Sequence, residues 1–237
     1  MANLVKQGKT KQMFTTDDPE VYRVHYTNHT TAGDGLRNEL INKKGEVNNK
    51  ISSLIFKYLD QKGIKTDFIK QLSDTDQLNR KVTMIPLEVV ARNHASGSIE
   101  KRFGLKHLLE FKKPVEEFYY KSDELHDPII NDSEVEEFGI LTGKEIDWIR
   151  KQTRLINQDL KALFAEIGII LVDFKVEYGK TSDGHIILAD EISPDSCRLV
   201  DAKTKKSLDK DVFRKRLGNM MVGYDEVLNK LETVLNK

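Results

Sequence analysis

Between Gly168 and Val200 the chain reads GIILVDFKVEYGKTSDGHIILADEISPDSCRLV, two β-branched runs on either side of a turn. The first run, Ile169-Ile170-Leu171-Val172, passes into the alternation Asp173, Phe174, Lys175, Val176, Glu177, Tyr178. Side chains on a strand point to its two faces in turn. Asp173, Lys175 and Glu177 therefore share one face, and Phe174, Val176 and Tyr178 the other. Asp183-Gly184 offers a turn and Ile186 to Ala189 a returning strand, so the spacing predicts a β-hairpin. Closed about its midpoint, the hairpin puts Asp190 on the face that carries Asp173, Lys175 and Glu177. Glu191, Pro194, Asp195 and Arg198 follow directly.

A charged strand face is often plain solvated surface. Here hydrophobic runs and the following Asp190–Asp195 segment crowd the charges instead. Carboxylates that face one another without a cation repel, and Mg²⁺ carrying nucleotide phosphates takes one or two carboxylates. The stretch therefore reads as a metal–nucleotide site.

Lys and Arg together balance Asp and Glu at 38 each, so the formal net charge is zero. Such a balance gives no global attraction to nucleic acid or to an anionic membrane, and neither is expected as a partner. One cysteine, Cys197, excludes an internal disulfide framework and fits a reducing compartment. Met1 to Gln12 lacks the apolar core of a signal peptide, and no apolar run is long enough to span a bilayer. A cytoplasmic location is the expectation.

From the N-terminus, Met1 to Tyr26 predicts two strands about a turn at Thr16–Pro19. The first strand carries Gly8-Lys9-Thr10-Lys11, which lacks the glycine spacing and following helix of a P-loop. Lys9 and Lys11 alternate instead on one face, as a phosphate-covering hairpin would need, although a solvated edge strand is the plainer reading. Ala32-Gly33-Asp34-Gly35 forms a small loop presenting one carboxylate. Gly45 to Gly63 has the apolar spacing of a helix. Lys81 to Ala91 predicts strands broken at Pro86, leading into Arg92-Asn93-His94-Ala95-Ser96-Gly97-Ser98. Backbone N–H groups at a helix start near Ser98, with guanidinium and hydroxyl neighbours, suit an anion, as they also suit a simple cap. Phe118 to Lys121 predicts a strand that turns Lys121 inward, and Asn131-Asp132 is turn material. Thr142-Gly143-Lys144-Glu145 is a capping box ahead of a helix carrying Ile149, Leu155, Ile156, Leu160, Leu163 and Phe164. A last helix is predicted from Asp211 to Leu235, with Arg214 in its first turn. Strands dominate early and helices later, which predicts an α+β chain of two lobes with a cleft between them.

Taken in order, these segments resemble one family, the SAICAR synthetases (phosphoribosylaminoimidazole-succinocarboxamide synthases) of de novo purine biosynthesis. The most specific matches are Leu171 to Gly179 and Ala189 to Leu199. Gly8–Lys11, Ala32–Gly35, Lys44-Gly45 with Asn48-Asn49, Ile85–Val90, Arg92-Asn93, Gly97-Ser98, Lys121 and Asp127-Pro128 complete the series over nearly the whole chain. Asp67, where the family pattern has histidine before Phe68, and Val200, where an aromatic is common, depart from it.

The resemblance implies a two-lobed, ATP-grasp-like α+β fold with antiparallel sheets and a nucleotide cleft between the lobes. An N-terminal lobe is expected over residues 1–80 and a larger lobe over 81–237. It further implies that ATP, a carboxylated aminoimidazole ribonucleotide and L-aspartate give the succinocarboxamide, ADP and phosphate. By the same resemblance Glu177 and Asp190 hold Mg²⁺ on the ATP phosphates, and Lys9, Lys11 and Lys121 contact the nucleotide. Asp34 approaches a metal near the imidazole carboxylate. Arg92, Ser98, Lys175, Arg198 and Arg214 hold the ribonucleotide's anionic groups or aspartate, and Lys175, Glu177 and Asp190 are the catalytic set. A stand-alone homodimeric enzyme is expected, with no room for the carboxylase domain fused to it in animals. A kinase-like phosphotransferase lacks its glycine loop and His-Arg-Asp motif here, and a non-catalytic nucleotide sensor leaves the Arg92–Ser98 loop without a purpose.

Overall fold

A computed structural model describes residues 2–33 and 37–236 of the chain. In chain order, β1 (Leu4–Gln7), β2 (Lys11–Thr15), β3 (Val21–Tyr26), β4 (His29–Ala32) and β5 (Arg37–Leu40) lead into α1 (Lys44–Gln61). Next come β6 (Phe68–Gln71), β7 (Asp76–Arg80), β8 (Thr83–Met84), β9 (Leu87–His94), the short α2 (Ser98–Phe103) and the long β10 (Glu110–Tyr120). β11 (Ile129–Ile130), α3 (Asp132–Glu137) and α4 (Gly143–Glu166) precede β12 (Ile169–Lys180) and β13 (Ile186–Ala189). The chain closes through β14 (Cys197–Asp201), α5 (Asp211–Arg214) and α6 (Met221–Leu235).

Among the described residues one sheet runs β1-β2-β3-β7-β6 and a second runs β11-β10-β9-β12-β13, with β8 and β14 also paired to β12; β4 and β5 form a separate ribbon. The named strand pairs are all antiparallel. The expected α+β class with antiparallel sheets is what the chain adopts.

β12 organises the second sheet because it changes neighbours part-way along. Its first half lies between β9 and β14, with Asp173 opposite both Arg92 and Arg198. Its second half leaves β9 and pairs with β13 from Glu177 onward. Phe174 and Val176 are wholly buried and Tyr178 nearly so. Full burial of such side chains stabilises by roughly 1.5–3 kcal/mol each. The Tyr178 hydroxyl lies 2.8 Å from Thr153 Oγ1 on α4, and its ring meets Trp148 edge-on at 6.2 Å. The neighbouring strand follows the same alternation. Asn93 of β9 exchanges amide hydrogen bonds of 2.8 and 2.9 Å with Asn157 of α4, which leaves Arg92 to the opposite face.

The Thr142 box is present: Thr142 Oγ1 accepts the Glu145 N–H at 3.4 Å, and Glu145 Oε2 accepts the Thr142 N–H at 2.8 Å. Leu155, expected in the core stripe of α4, is 40% exposed instead. α1 matches its spacing and stops at Gly63, whose φ of 87° suits glycine.

Three local expectations are corrected. Met1 to Tyr26 yields β1, β2 and β3 in place of two strands, because Gly8 turns the chain; its N–H donates to the Lys11 carbonyl at 2.8 Å. Asn131, read as turn material, caps α3 by accepting the Glu134 N–H at 3.1 Å. The last helix is two helices. Arg216 (φ 56°) and Gly218 (φ 137°) break it, and Leu217 is 66% exposed. Asn219 Oδ1 then accepts the Met221 N–H at 2.9 Å where α6 begins. The apolar period continued across the break and hid the stop signal in Gly218-Asn219.

Candidate active site

The seam where β12 exchanges β9 for β13 collects charge. Lys175 Nζ stands 2.5 Å from Glu177 Oε1, 3.7 Å from Asp190 Oδ2 and 3.4 Å from Glu88 Oε1. Lys121, just past the end of β10, donates to Glu177 Oε1 at 2.7 Å. Lys11, at the start of β2 in the other sheet, hydrogen-bonds Asp190 and lies 3.3 Å from Glu191 Oε1. Glu177 is 4% exposed, so this is no solvated hairpin face. Asp190 sits just beyond β13 with φ 73°, a left-handed conformation that aspartate tolerates better than most residues.

The charges hold one another in place. Burial works to neutralise Lys175, but Glu177 and Asp190 raise it well above the ordinary lysine range. Lys11 is likewise raised against burial by Asp190 and Glu191. Burial favours the neutral form of Asp190, yet Lys11 and Lys175 keep its carboxyl below the usual range. Lysines thus supply the cations whose need suggested a metal from sequence, so carboxylate repulsion alone does not call for an ion. The donor set still fits one. Glu177 and Asp190 converge on a single ammonium, and two carboxylates with phosphate oxygens are a usual Mg²⁺ complement. Among the described residues no group of three or more His, Cys, Asp and Glu is placed to hold an ion by itself.

A second cluster lies along the same strand. Arg92 Nε donates to Glu117 Oε2 at 2.7 Å, its Nη1 to Asp173 Oδ2 at 2.8 Å, and its Nη2 to Ser98 Oγ and Tyr119 Oη at 3.3 Å each. Arg198 Nη1 donates to Asp173 Oδ2 at 3.0 Å and Oδ1 at 3.2 Å, and its Nε to Asp211 Oδ2 at 3.3 Å. Arg214 Nη1 reaches the other oxygen of Asp211 at 2.8 Å. Gly97 turns at φ 70° against Arg198, and a Cβ there would fall 2.6 Å from Arg198 Nη2. Only glycine fits both the angle and the contact. Behind this cluster Asp195 is pinned to both flanking helices, 2.5 Å from Lys44 Nζ and 2.6 Å from Tyr224 Oη.

Lys11, Lys121, Lys175, Glu177 and Asp190 are therefore brought together, as are Arg92, Ser98, Arg198 and Arg214. Lys9 does not share a strand face with Lys11: it occupies the β1–β2 turn and pairs with Asp123 at 2.7 Å. Asp34 lies outside the described residues. Sequence reasoning passed over Glu117 and Asp211 and gave Asp173 no role. It also missed what Asp67 does, a residue 6% exposed between the two sheets, its N–H on the Leu188 carbonyl at 2.8 Å. Burial pushes the Asp67 carboxyl up to about 7 against a hydrogen bond from Asn79. Cys197 is buried, which pushes its thiol up and away from reactivity.

Comparison with known proteins places this geometry. The family described as SAICAR synthetase matches residues 4–231. A phosphoribosylaminoimidazole-succinocarboxamide synthase of Lactiplantibacillus plantarum is 54% identical over 231 residues, covering 98% of this chain and 95% of the relative. The crystal structure of the synthase so named from Ehrlichia chaffeensis superposes with a TM-score of 0.96 at 44% identity, covering 98% of this chain and 99% of that one. A SAICAR synthetase in complex with ADP superposes at 0.94 with 42% identity, again covering 98% and 99%.

Proposed function

The chain belongs to the SAICAR synthetase family, and from that premise we propose how its charged seam carries out the ligation. The enzyme joins L-aspartate to the carboxylate of 5-amino-1-(5-phospho-D-ribosyl)imidazole-4-carboxylate at the expense of ATP. The products are the succinocarboxamide, ADP and phosphate.

A carboxylate is a poor acyl donor because its leaving group would be oxide. We assign the chain a stepwise route in which a carboxylate oxygen attacks the γ-phosphorus and ADP departs. The aspartate amine then attacks the acyl carbon, the acyl C–O bond breaks with its electron pair going to the departing phosphate, and the amine nitrogen gives up a proton. Phosphoryl transfer requires chiefly alignment and charge neutralisation. Lys11, Lys121 and Lys175 supply the neutralisation from three directions around Glu177 and Asp190. Lys9, at the tip of the β1–β2 hairpin, contacts the nucleotide from above. Glu177 and Asp190, joined by Asp34, would hold Mg²⁺, which when bound neutralises phosphate charge. Arg92, Ser98, Arg198 and Arg214 take the ribonucleotide's anions or aspartate, and Lys175 stands between the two groups of residues.

The observation that carries this reading is the arrival of Lys11, from one sheet, at Asp190 and Glu191 on the other, beside Lys175 and Glu177. A nucleotide held there touches both sheets. We accordingly assign residues 1–80 to the lobe that covers ATP and 81–237 to the lobe that holds metal and substrate. A cytoplasmic homodimer completes the proposal; a reducing compartment is supported by the single cysteine, Cys197, buried and free. ADP release is the test, with the ribonucleotide and aspartate added to Mg-ATP singly and together. Release that needs both, with one succinocarboxamide per ADP, is expected. ADP formed with the ribonucleotide alone would mark leakage of the acyl phosphate and favour the stepwise route. No release in any combination, despite nucleotide binding, would leave a sensor.

A further inference from the structure

Arg92, Asp173 and Arg198 stand side by side on three adjacent strands, Asp173 being the cross-strand partner of both arginines. Two guanidiniums so placed would repel; the carboxylate between them removes that repulsion. Each arginine is used in the same way. Its Nε goes to an outer carboxylate, Glu117 for Arg92 and Asp211 for Arg198. Its Nη1 goes to Asp173, and both meet the same oxygen, Oδ2, at 2.8 and 3.0 Å. Both Nη2 groups face one loop: that of Arg92 donates to Ser98 Oγ and to Tyr119 Oη, and that of Arg198 lies against Gly97.

We propose that Asp173 is a positioning residue for ribonucleotide binding, fixing by its shared Oδ2 the rotation of both guanidiniums so that their Nη2 edges turn to the Gly97–Ser98 loop and take one oxyanion there, that of Arg92 in exchange for its hydroxyl partners. The proposal rests on the ligase reading above. Asp173 touches no substrate in it and acts through the arginines. At 3% exposure it has no role as a surface charge. The fixed edges favour a tetrahedral oxyanion, which accepts donors from several directions, with the Ser98 hydroxyl completing the cradle, while Tyr119 Oη donates to Glu117 Oε2 at 2.9 Å.

Asp173→Asn keeps the shape and removes the charge. It should raise KM for the ribonucleotide roughly ten- to a hundred-fold, the range of a hydrogen bond to a charged group, and leave KM for ATP within about twofold. Asp209→Asn is the structural comparator. Asp209 is equally buried and accepts the Leu199 and Asp211 N–H groups at 2.7 and 2.6 Å; its loss should move stability without that selective KM rise. A folded Asp173→Asn whose ribonucleotide KM is unchanged, or whose ATP KM rises in step, overturns the proposal. If Asp173→Asn does not fold, Asp173→Glu keeps the charge and moves the shared oxygen by one methylene. A ribonucleotide-selective KM rise then supports the proposal and an unchanged KM overturns it. Calorimetric titration with inorganic phosphate reads the clamp without turnover. Should the wild type make no succinocarboxamide, the ligase reading fails, and phosphate binding still decides this inference: weaker in Asp173→Asn upholds it, equal overturns it.

Discussion

Glu177 and Asp190 differ in what would be lost with their charge. Glu177 accepts from both Lys121 and Lys175, whereas Asp190 joins Lys11 of the other sheet to Lys175. Glu177→Gln and Asp190→Asn should each lower kcat by roughly 10²–10³-fold, the cost of removing one preorganised charge contact. The proteins should stay folded, because lysines next to the lost charge keep other carboxylates. ADP release across a Mg²⁺ titration checks this, and near-normal rates at saturating Mg²⁺ would remove both residues from the site. A second residue-scale prediction concerns pH. Burial, reinforced by Asp211, pushes the Asp209 carboxyl up to about 6. A carboxyl raised in the folded state binds its proton there at higher pH than in the unfolded chain. Its contribution favours folding in acid and is lost as pH rises through 6. Between pH 5 and pH 8 the loss is about 1 kcal/mol, and Asp209→Asn should remove that part of the slope in urea titrations. At this scale Lys175, Glu177 and Asp190 were legible, because strand alternation fixes a face. Asp173 was legible on that face but its pairing with the arginines was not, nor were Glu117 and Asp211. A carboxylate beside an arginine in space looks in sequence like any surface acid, and nothing in the sequence says that β10 pairs with β9 with Val115 opposite Arg92.

Caps and breaks govern the elements. α4 carries the buried Leu160 and Phe164 behind β12, and its start depends on Thr142. Thr142→Ala should cost about 1 kcal/mol and lower Tm by roughly 2–4 °C in a chain of this size. Calorimetry checks it, and activity below the melt should be unchanged because Thr142 bonds Glu145 and no residue of the seam. Helix and strand boundaries with a side-chain mechanism, such as Thr142-x-x-Glu145 and Gly63, were readable from sequence. The β1–β2 turn and the break before α6 were not, for opposite reasons. Gly8-Lys9-Thr10 is too short a turn signal to stand out from a strand of alternating lysines. The apolar period through Phe213, Leu217, Met220 and Met221 is so regular that it concealed Gly218, whose φ of 137° no helix contains.

For the whole molecule, a joint between the two sheets lies beside the site. The Asp67 N–H bonds the Leu188 carbonyl at 2.8 Å, Thr66 bridges Leu188, and Lys11 reaches Asp190 just beyond. The two-lobed arrangement could be anticipated from the drift of strands to helices along the chain. That the joint and the lysines proposed to meet the phosphates lie together could not, since it depends on contacts between residues far apart in sequence. A ligand in this cleft should stabilise both sheets together. ADP with Mg²⁺ at a hundred times its Kd adds about 2.7 kcal/mol, which corresponds to roughly 5–10 °C in Tm at this chain length. Scanning calorimetry of the wild type should give one transition that moves as a unit. Lys11→Met keeps the stem of the side chain and removes the ammonium between the sheets. Its nucleotide-induced shift should fall by at least half, and its melt should broaden as the first sheet loses its tie to Asp190. A shift of full size in Lys11→Met would mean that the nucleotide is held by the second sheet alone, and that the N-terminal hairpins cover it without gripping it.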